Sequence, residues 1–199
     1  MKNKLSVAEK PAPYVVASSA VLRRAGNRQW VLKPQDLAVA LKLVTLGESR
    51  LAYAELAKRL RLSQFEAHAA VQRLMAARLV VDMGDGPRPI IAALRSFVVY
   101  GAVYCYPAVR GEVTIGFPTA YAVSPLKDLV LFSQEMPPVW PHPEGTARGT
   151  ALLPLYEKLP LAALDDPKFY ELLALFDALR MGQARERELA TKLLEDRLQ

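Results

Sequence analysis

Six side chains in the stretch "LSQFEAHAAVQRLMAARLV" (residues 62–80) recur at the spacing of one helical face: Gln64, Phe65, His68, Ala69, Gln72 and, at its edge, Arg73. Glutamine is suited to adenine, arginine to guanine, and histidine to either a base edge or a phosphate. The face is polar, nearly free of acids, and flat around Ala69. A face that is only solvated tends to mix Glu and Lys at i,i+4. The chemistry expected here is contact with base edges, which makes this a recognition helix. Glu66 is the one acid close by, either a capping carboxylate or an acceptor from cytosine N4. His68 likewise stands between a solvated residue and a DNA contact.

The elements around this helix decide where that face points. Ala67, Ala70, Val71, Leu74 and Ala77 form the opposite side, and their small size lets neighbouring helices come close. Ser63 with Glu66 makes Ser-x-x-Glu, the signature of a helix start. Upstream, Pro34 suits a first helical turn, Leu37, Leu41 and Val44 keep helical spacing, and Gly47 closes the segment. Leu51 to Leu60 repeats the pattern before a tight turn at Arg61–Leu62–Ser63. Downstream, "LVVDMGDGPRPIIA" reads as two apolar arms around an Asp-, Gly- and Pro-rich turn. Helix, helix, turn, helix, hairpin is the order of a winged helix-turn-helix.

In that arrangement Lys58, Arg59 and Arg61 are placed to meet phosphates; their bland alternative is a basic helix end that suits the macrodipole. Arg88, braced by Pro87 and Pro89 in the hairpin, is the candidate for the minor groove. Arg23, Arg24 and Arg28 either extend the basic surface or pack elsewhere. The charge split fits either a polyanion-binding half or a soluble surface with chance asymmetry: residues 1–92 hold 15 Lys/Arg against 7 Asp/Glu, whereas residues 93–199 hold 11 against 13.

The second half reads differently. Residues 92–104 form either an apolar helix or, given Val98, Val99 and Val103, a strand. Residues 106–160 carry nine prolines, so long loops and short pieces wrapping other elements are expected. Their Tyr, Trp, Phe, Leu and Val content argues against disorder. Asp165–Asp166 before Pro167 looks like a helix cap, followed by a stripe of Phe169, Leu172, Leu173, Phe176 and Leu179 that covers either the chain's own core or a second subunit. A charged final helix spans residues 183–198. "VVYGAVYCYPAVRG" lines an effector pocket or belongs to the core, and Trp140 is either a peptide contact or a tucked-in anchor.

Catalysis is poorly supported. His68 and His142 are the only histidines and share no zinc-site spacing. Cys105, in an apolar run, is expected to be a buried inert thiol. "GDGPRP" lacks the strand–helix context that cradles phosphate. No enzyme, metal or cofactor is therefore expected. A single cysteine, no apolar run near the roughly 18–20 residues of a membrane span, and a start unlike a signal peptide point to a cytoplasmic protein.

The stretch "YAELAKRLRLSQFEAHAAVQRLMAARLVVD" resembles the DNA-binding core of MarR/IclR-type winged-helix transcriptional regulators. Glu55–Leu56–Ala57, Leu62–Ser63, Val71, Arg73–Leu74 and Leu79–Val80 carry the likeness, which spans residues 34–92; Arg78 departs from it, standing where such regulators place Gly or Asn. The resemblance implies a regulator, specifically a repressor, that binds double-stranded DNA as a homodimer. The expected organisation is an N-terminal arm (1–33), a winged helix-turn-helix (34–92) and a C-terminal dimerisation or regulatory region (93–199), mainly α with a small β-hairpin and a Pro-rich, irregular and helical second half. The rival expectation is an interaction adaptor or antitoxin-like protein whose C-terminal region binds a partner protein.

Overall fold

A computed structural model describes residues 31–199 except 48, 50, 83, 85 and 130–135. The N-terminal arm through residue 30, with Arg23, Arg24 and Arg28, lies outside the described residues.

Helix α1 (Pro34–Leu46) begins at Pro34, whose missing N–H is one that a helix start leaves unpaired anyway. Its run from Leu37 to Leu43 is buried on every side because α1 is gripped between two later helices. Helix α2 (Tyr53–Arg59) and helix α3 (Gln64–Ala76) follow, joined by the expected turn and packed on each other and, through α3, on α1. Both end in the same backbone device. After α2, the N–H groups of Arg61 and Leu62 bond the carbonyls of Lys58 (3.1 Å) and Ala57 (2.9 Å). After α3, those of Arg78 and Leu79 bond the carbonyls of Met75 (3.0 Å) and Leu74 (2.9 Å). This Schellman closure needs a left-handed residue, normally Gly. Arginine fills it both times, with φ of 53° at Arg61 and 57° at Arg78. The departure at Arg78 therefore leaves the helix end intact.

Strands β1 (Val80–Asp82) and β2 (Pro87–Pro89) form the expected antiparallel hairpin, Val81 opposite Arg88. Asp82 Oδ1 accepts from the N–H of Gly84 (2.9 Å) and of Gly86 (3.3 Å), which organises the turn. The second arm is shorter than expected, for Ile91 already opens helix α4 (Ile91–Tyr100), continued by α5 (Ala102–Cys105). The helical alternative thus holds for this stretch. Cys105 is exposed at its end, not buried as its apolar neighbours suggested.

The Pro-rich stretch is more regular than expected. It holds β3 (Arg110–Pro118), a short 3₁₀ turn (Ala120–Ala122), α6 (Leu126–Leu129), β4 (Pro138–Pro141) and β5 (Ala147–Leu152). Strand β3 runs antiparallel to both β4 and β5, which pair with each other in parallel, so the three strands close on themselves. Prolines are tolerated because they bound the strands: Pro118 ends β3, Pro138 and Pro141 delimit β4, and β5 has none. Closure is tight. A Cβ on Gly149 would lie 1.9 Å from the Pro137 carbonyl oxygen, and one on Gly116 2.1 Å from that of Trp140.

Helices α7 (Leu159–Leu164), α8 (Pro167–Met181) and α9 (Ala184–Arg197) complete the chain. Asp166 caps α8 as expected, accepting from the N–H groups of Lys168 (3.0 Å) and Phe169 (3.2 Å). Its other oxygen receives Lys42 Nζ of α1 at 2.8 Å. Phe169, Leu172, Phe176 and Leu179 are buried, so the stripe covers the protein's own core. Trp140 is a tucked-in anchor, though on a strand: its Nε1 donates to Asp177 at 2.7 Å, where Thr119 Oγ1 and Arg180 Nε also donate. One hydrophobic cluster runs from Leu37 to Leu198. The fold is mainly helical, with a two-stranded hairpin and a small three-stranded sheet.

Candidate nucleic-acid interface

Helix α3 is held from both ends. At its start the Ser63–Glu66 box closes: the Ser63 N–H donates to Glu66 Oε2 at 2.9 Å and the Glu66 N–H to Ser63 Oγ at 3.2 Å. Glu66 is thus the capping carboxylate; the Ser63 hydroxyl, which donates to Glu66 Oε2 at 2.7 Å, and then the Ser63 N–H hold its pKa below the ordinary glutamate range. Along the helix Ala67, Ala70, Val71 and Leu74 are buried against α1 and α2, while Ala77, expected with them, caps the end in solvent.

Gln64, Phe65, His68 and Gln72 all face solvent, and Ala69 between them is half-buried. Phe65 is 81% exposed, on the first turn of the helix. Such a ring contributes nothing to the core, and its chemistry fits apolar contact with a thymine methyl. His68 meets the edge of Tyr53 from α2, ring centroids 5.0 Å apart, which fixes where the imidazole lies without burying it. Burial and the nearby Asp82 of β1 raise the Tyr53 hydroxyl pKa, so α3, α2 and the hairpin converge at this point.

Arg73 departs from expectation. Its side chain turns inward and forks onto Asp36, Nε to Oδ2 at 2.7 Å and Nη2 to Oδ1 at 2.6 Å. Asp36 is fully buried and also accepts from the Lys33 N–H at 2.8 Å. A guanidinium forked onto a buried carboxylate, its side chain only 11% exposed, is turned away from the outward side of α3. Arg73 ties α3 to α1 and does not share the outward side with Gln64, Phe65, His68 and Gln72.

The basic groups lie where the sequence puts them, at the end of α2 and in the turn before α3. Lys58 is exposed. Arg59 Nε meets Glu55 at 3.0 Å, and Arg61 Nη2 meets Asp165 at 2.9 Å. Both pairs are solvated, so neither carboxylate holds its guanidinium strongly. Arg88 is exposed on β2 rather than at the hairpin tip, beside a crevice it lines with Leu43, Gly47, Ser49 and Leu51.

Two lysines escaped sequence reasoning. Lys33, just before α1, and Lys158, at the start of α7, are close enough to Glu66 to lower its pKa further. Lys158 stands 92 positions from Glu66 in the chain, and no local pattern connects them. Elsewhere, Val99, Tyr100, Val103 and Tyr104 border a groove of about 430 Å³ against α9, so part of the aromatic-rich stretch does line a concavity. Among the described residues no group of three His, Cys, Asp or Glu is placed to hold a metal, and no helix is long and apolar enough to cross a membrane. No family model matches the chain, and comparisons with curated proteins and with solved structures return no match.

Proposed function

We propose that the chain is a sequence-specific, duplex-DNA-binding regulator of transcription, a cytoplasmic repressor acting as a homodimer. In this reading residues 34–92 are a winged helix-turn-helix, with α3 in the major groove and the β1–β2 hairpin as the wing. The observation that carries it is the outward side of α3: Gln64, Phe65, His68 and Gln72 all lie in solvent, with Phe65 81% exposed. Lys58, Arg59 and Arg61 flank its N-terminal end. The chain's net charge of +6 suits a polyanion partner.

Phosphate contacts set register and base contacts select sequence. Arg59→Ala is therefore expected to weaken binding to every duplex alike, whereas Gln72→Ala and His68→Ala shift the preference among duplexes. A competition titration over random and selected duplexes measures both. Equal losses for all three variants on all duplexes would refute the division of roles.

The rival reading, an adaptor that binds a partner protein through its C-terminal region, is favoured by Tyr100 and Tyr104, 67% and 79% exposed beside the groove on α9. Retention of a protein partner by the purified chain, with no duplex bound, would decide for it.

A further inference from the structure

The second half of the chain reaches the start of α3. Tyr156 Oη donates to the Leu60 carbonyl at 2.8 Å, in the turn between α2 and α3. Asp165 holds Arg61 of the same turn. Between these two anchors, Leu159, Ala162 and Ala163 of α7 sink into the core. Lys158 sits one residue before Leu159, exposed, on a segment held by the Tyr156 hydrogen bond on one side and by buried Leu159, Ala162 and Ala163 on the other. Its effect on the Glu66 carboxylate agrees with that placement.

We propose that Lys158 contacts a DNA backbone phosphate beside the N-terminus of α3, so that the DNA-facing surface is assembled from both halves of the chain. The inference rests on the DNA-binding reading above. A lysine flanking α3 acts as a point charge that can meet a phosphate and carries no sequence information. Tyr156 is then a positioning residue, holding the segment on the Leu60 carbonyl.

The test is the salt dependence of duplex affinity for the wild-type protein, Lys158→Gln, Lys158→Arg and, as a charge control, Lys127→Gln. Lys127 is exposed on α6. Each phosphate contact contributes about 0.9 to the slope of log affinity against log salt. Lys158→Gln is expected to weaken all duplexes alike and to flatten the slope by about 0.9 per bound subunit, about a 3–4-fold smaller loss between about 50 and 200 mM salt. Lys158→Arg keeps the wild-type slope, and so does Lys127→Gln. A steep wild-type slope that Lys158→Gln leaves unchanged, with the variant's thermal melt intact, overturns the role of Lys158 alone. A flat wild-type response overturns the DNA reading itself.

Discussion

Asp36→Ala is expected to destabilise the protein by about 3–5 kcal/mol, the cost of removing one partner from a buried ion pair. The carboxylate is fully buried and serves three donors: both arms of the Arg73 fork and the Lys33 N–H. Its loss strands a guanidinium whose side chain is 11% exposed. Replacing both partners, as Asp36→Leu with Arg73→Met, is expected to restore most of the stability, since apolar groups of similar volume leave no unpaired charge. The double variant leaves the outward side of α3 untouched, so it should also keep the wild-type preference among duplexes. Urea unfolding gives the first result and competition binding the second. A cost below about 1 kcal/mol for Asp36→Ala, or a lost preference in the double variant, would return Arg73 to the bases.

The second large effect is on affinity. A dimer making about 6–10 phosphate contacts is expected to bind about 10³–10⁵-fold more weakly at 200 mM than at 50 mM salt. The cations available for this are solvated, and the carboxylates they meet hold them weakly: side chains of the Arg59–Glu55 pair are 43% and 41% exposed, those of Arg61–Asp165 44% and 62%. Exchange of Glu55 or Asp165 for a phosphate therefore costs little. Fluorescence anisotropy on one duplex over that salt range reads the slope directly. A protein-docking adaptor has no reason to respond to salt with duplex present.

The parts of this site that are legible in the sequence are the local ones. The Ser63–Glu66 box, Ala67 and Ala70 on the inward side of α3 and the Asp–Gly turn of the hairpin each act within a few residues, and each is found where the pattern puts it, whereas Ala77 at the helix end is exposed. What escaped depends on distant partners. Arg73 looks like an edge residue of the outward side until Asp36, 37 positions upstream, draws it inward. Proline counts suggested loops in residues 106–160, yet Val113 pairs with Thr150, a register that no single segment announces. Cys105 lies in an apolar run but is the last residue of a short helix, where its side chain meets solvent. Lys158 reaches α3 only because Tyr156 and Asp165 tie its segment to residues about a hundred positions earlier: 96 for Tyr156–Leu60, 104 for Asp165–Arg61. Arg61 and Arg78 show the reverse case, in which a helix closes as local rules require although the usual glycine is missing.

Selection of bound duplexes from a random pool, by the wild-type protein and by the Gln64→Ala/His68→Ala/Gln72→Ala variant in parallel, probes the outward side of α3 most directly. The wild-type protein should enrich one motif with two symmetric half-sites about 34–36 Å apart, while the triple variant, equally stable because those side chains lie outside the core, still binds DNA but loses the motif. Enrichment of the same motif by both proteins, or of none by the wild type, would contradict the reading of α3 as the element that selects sequence.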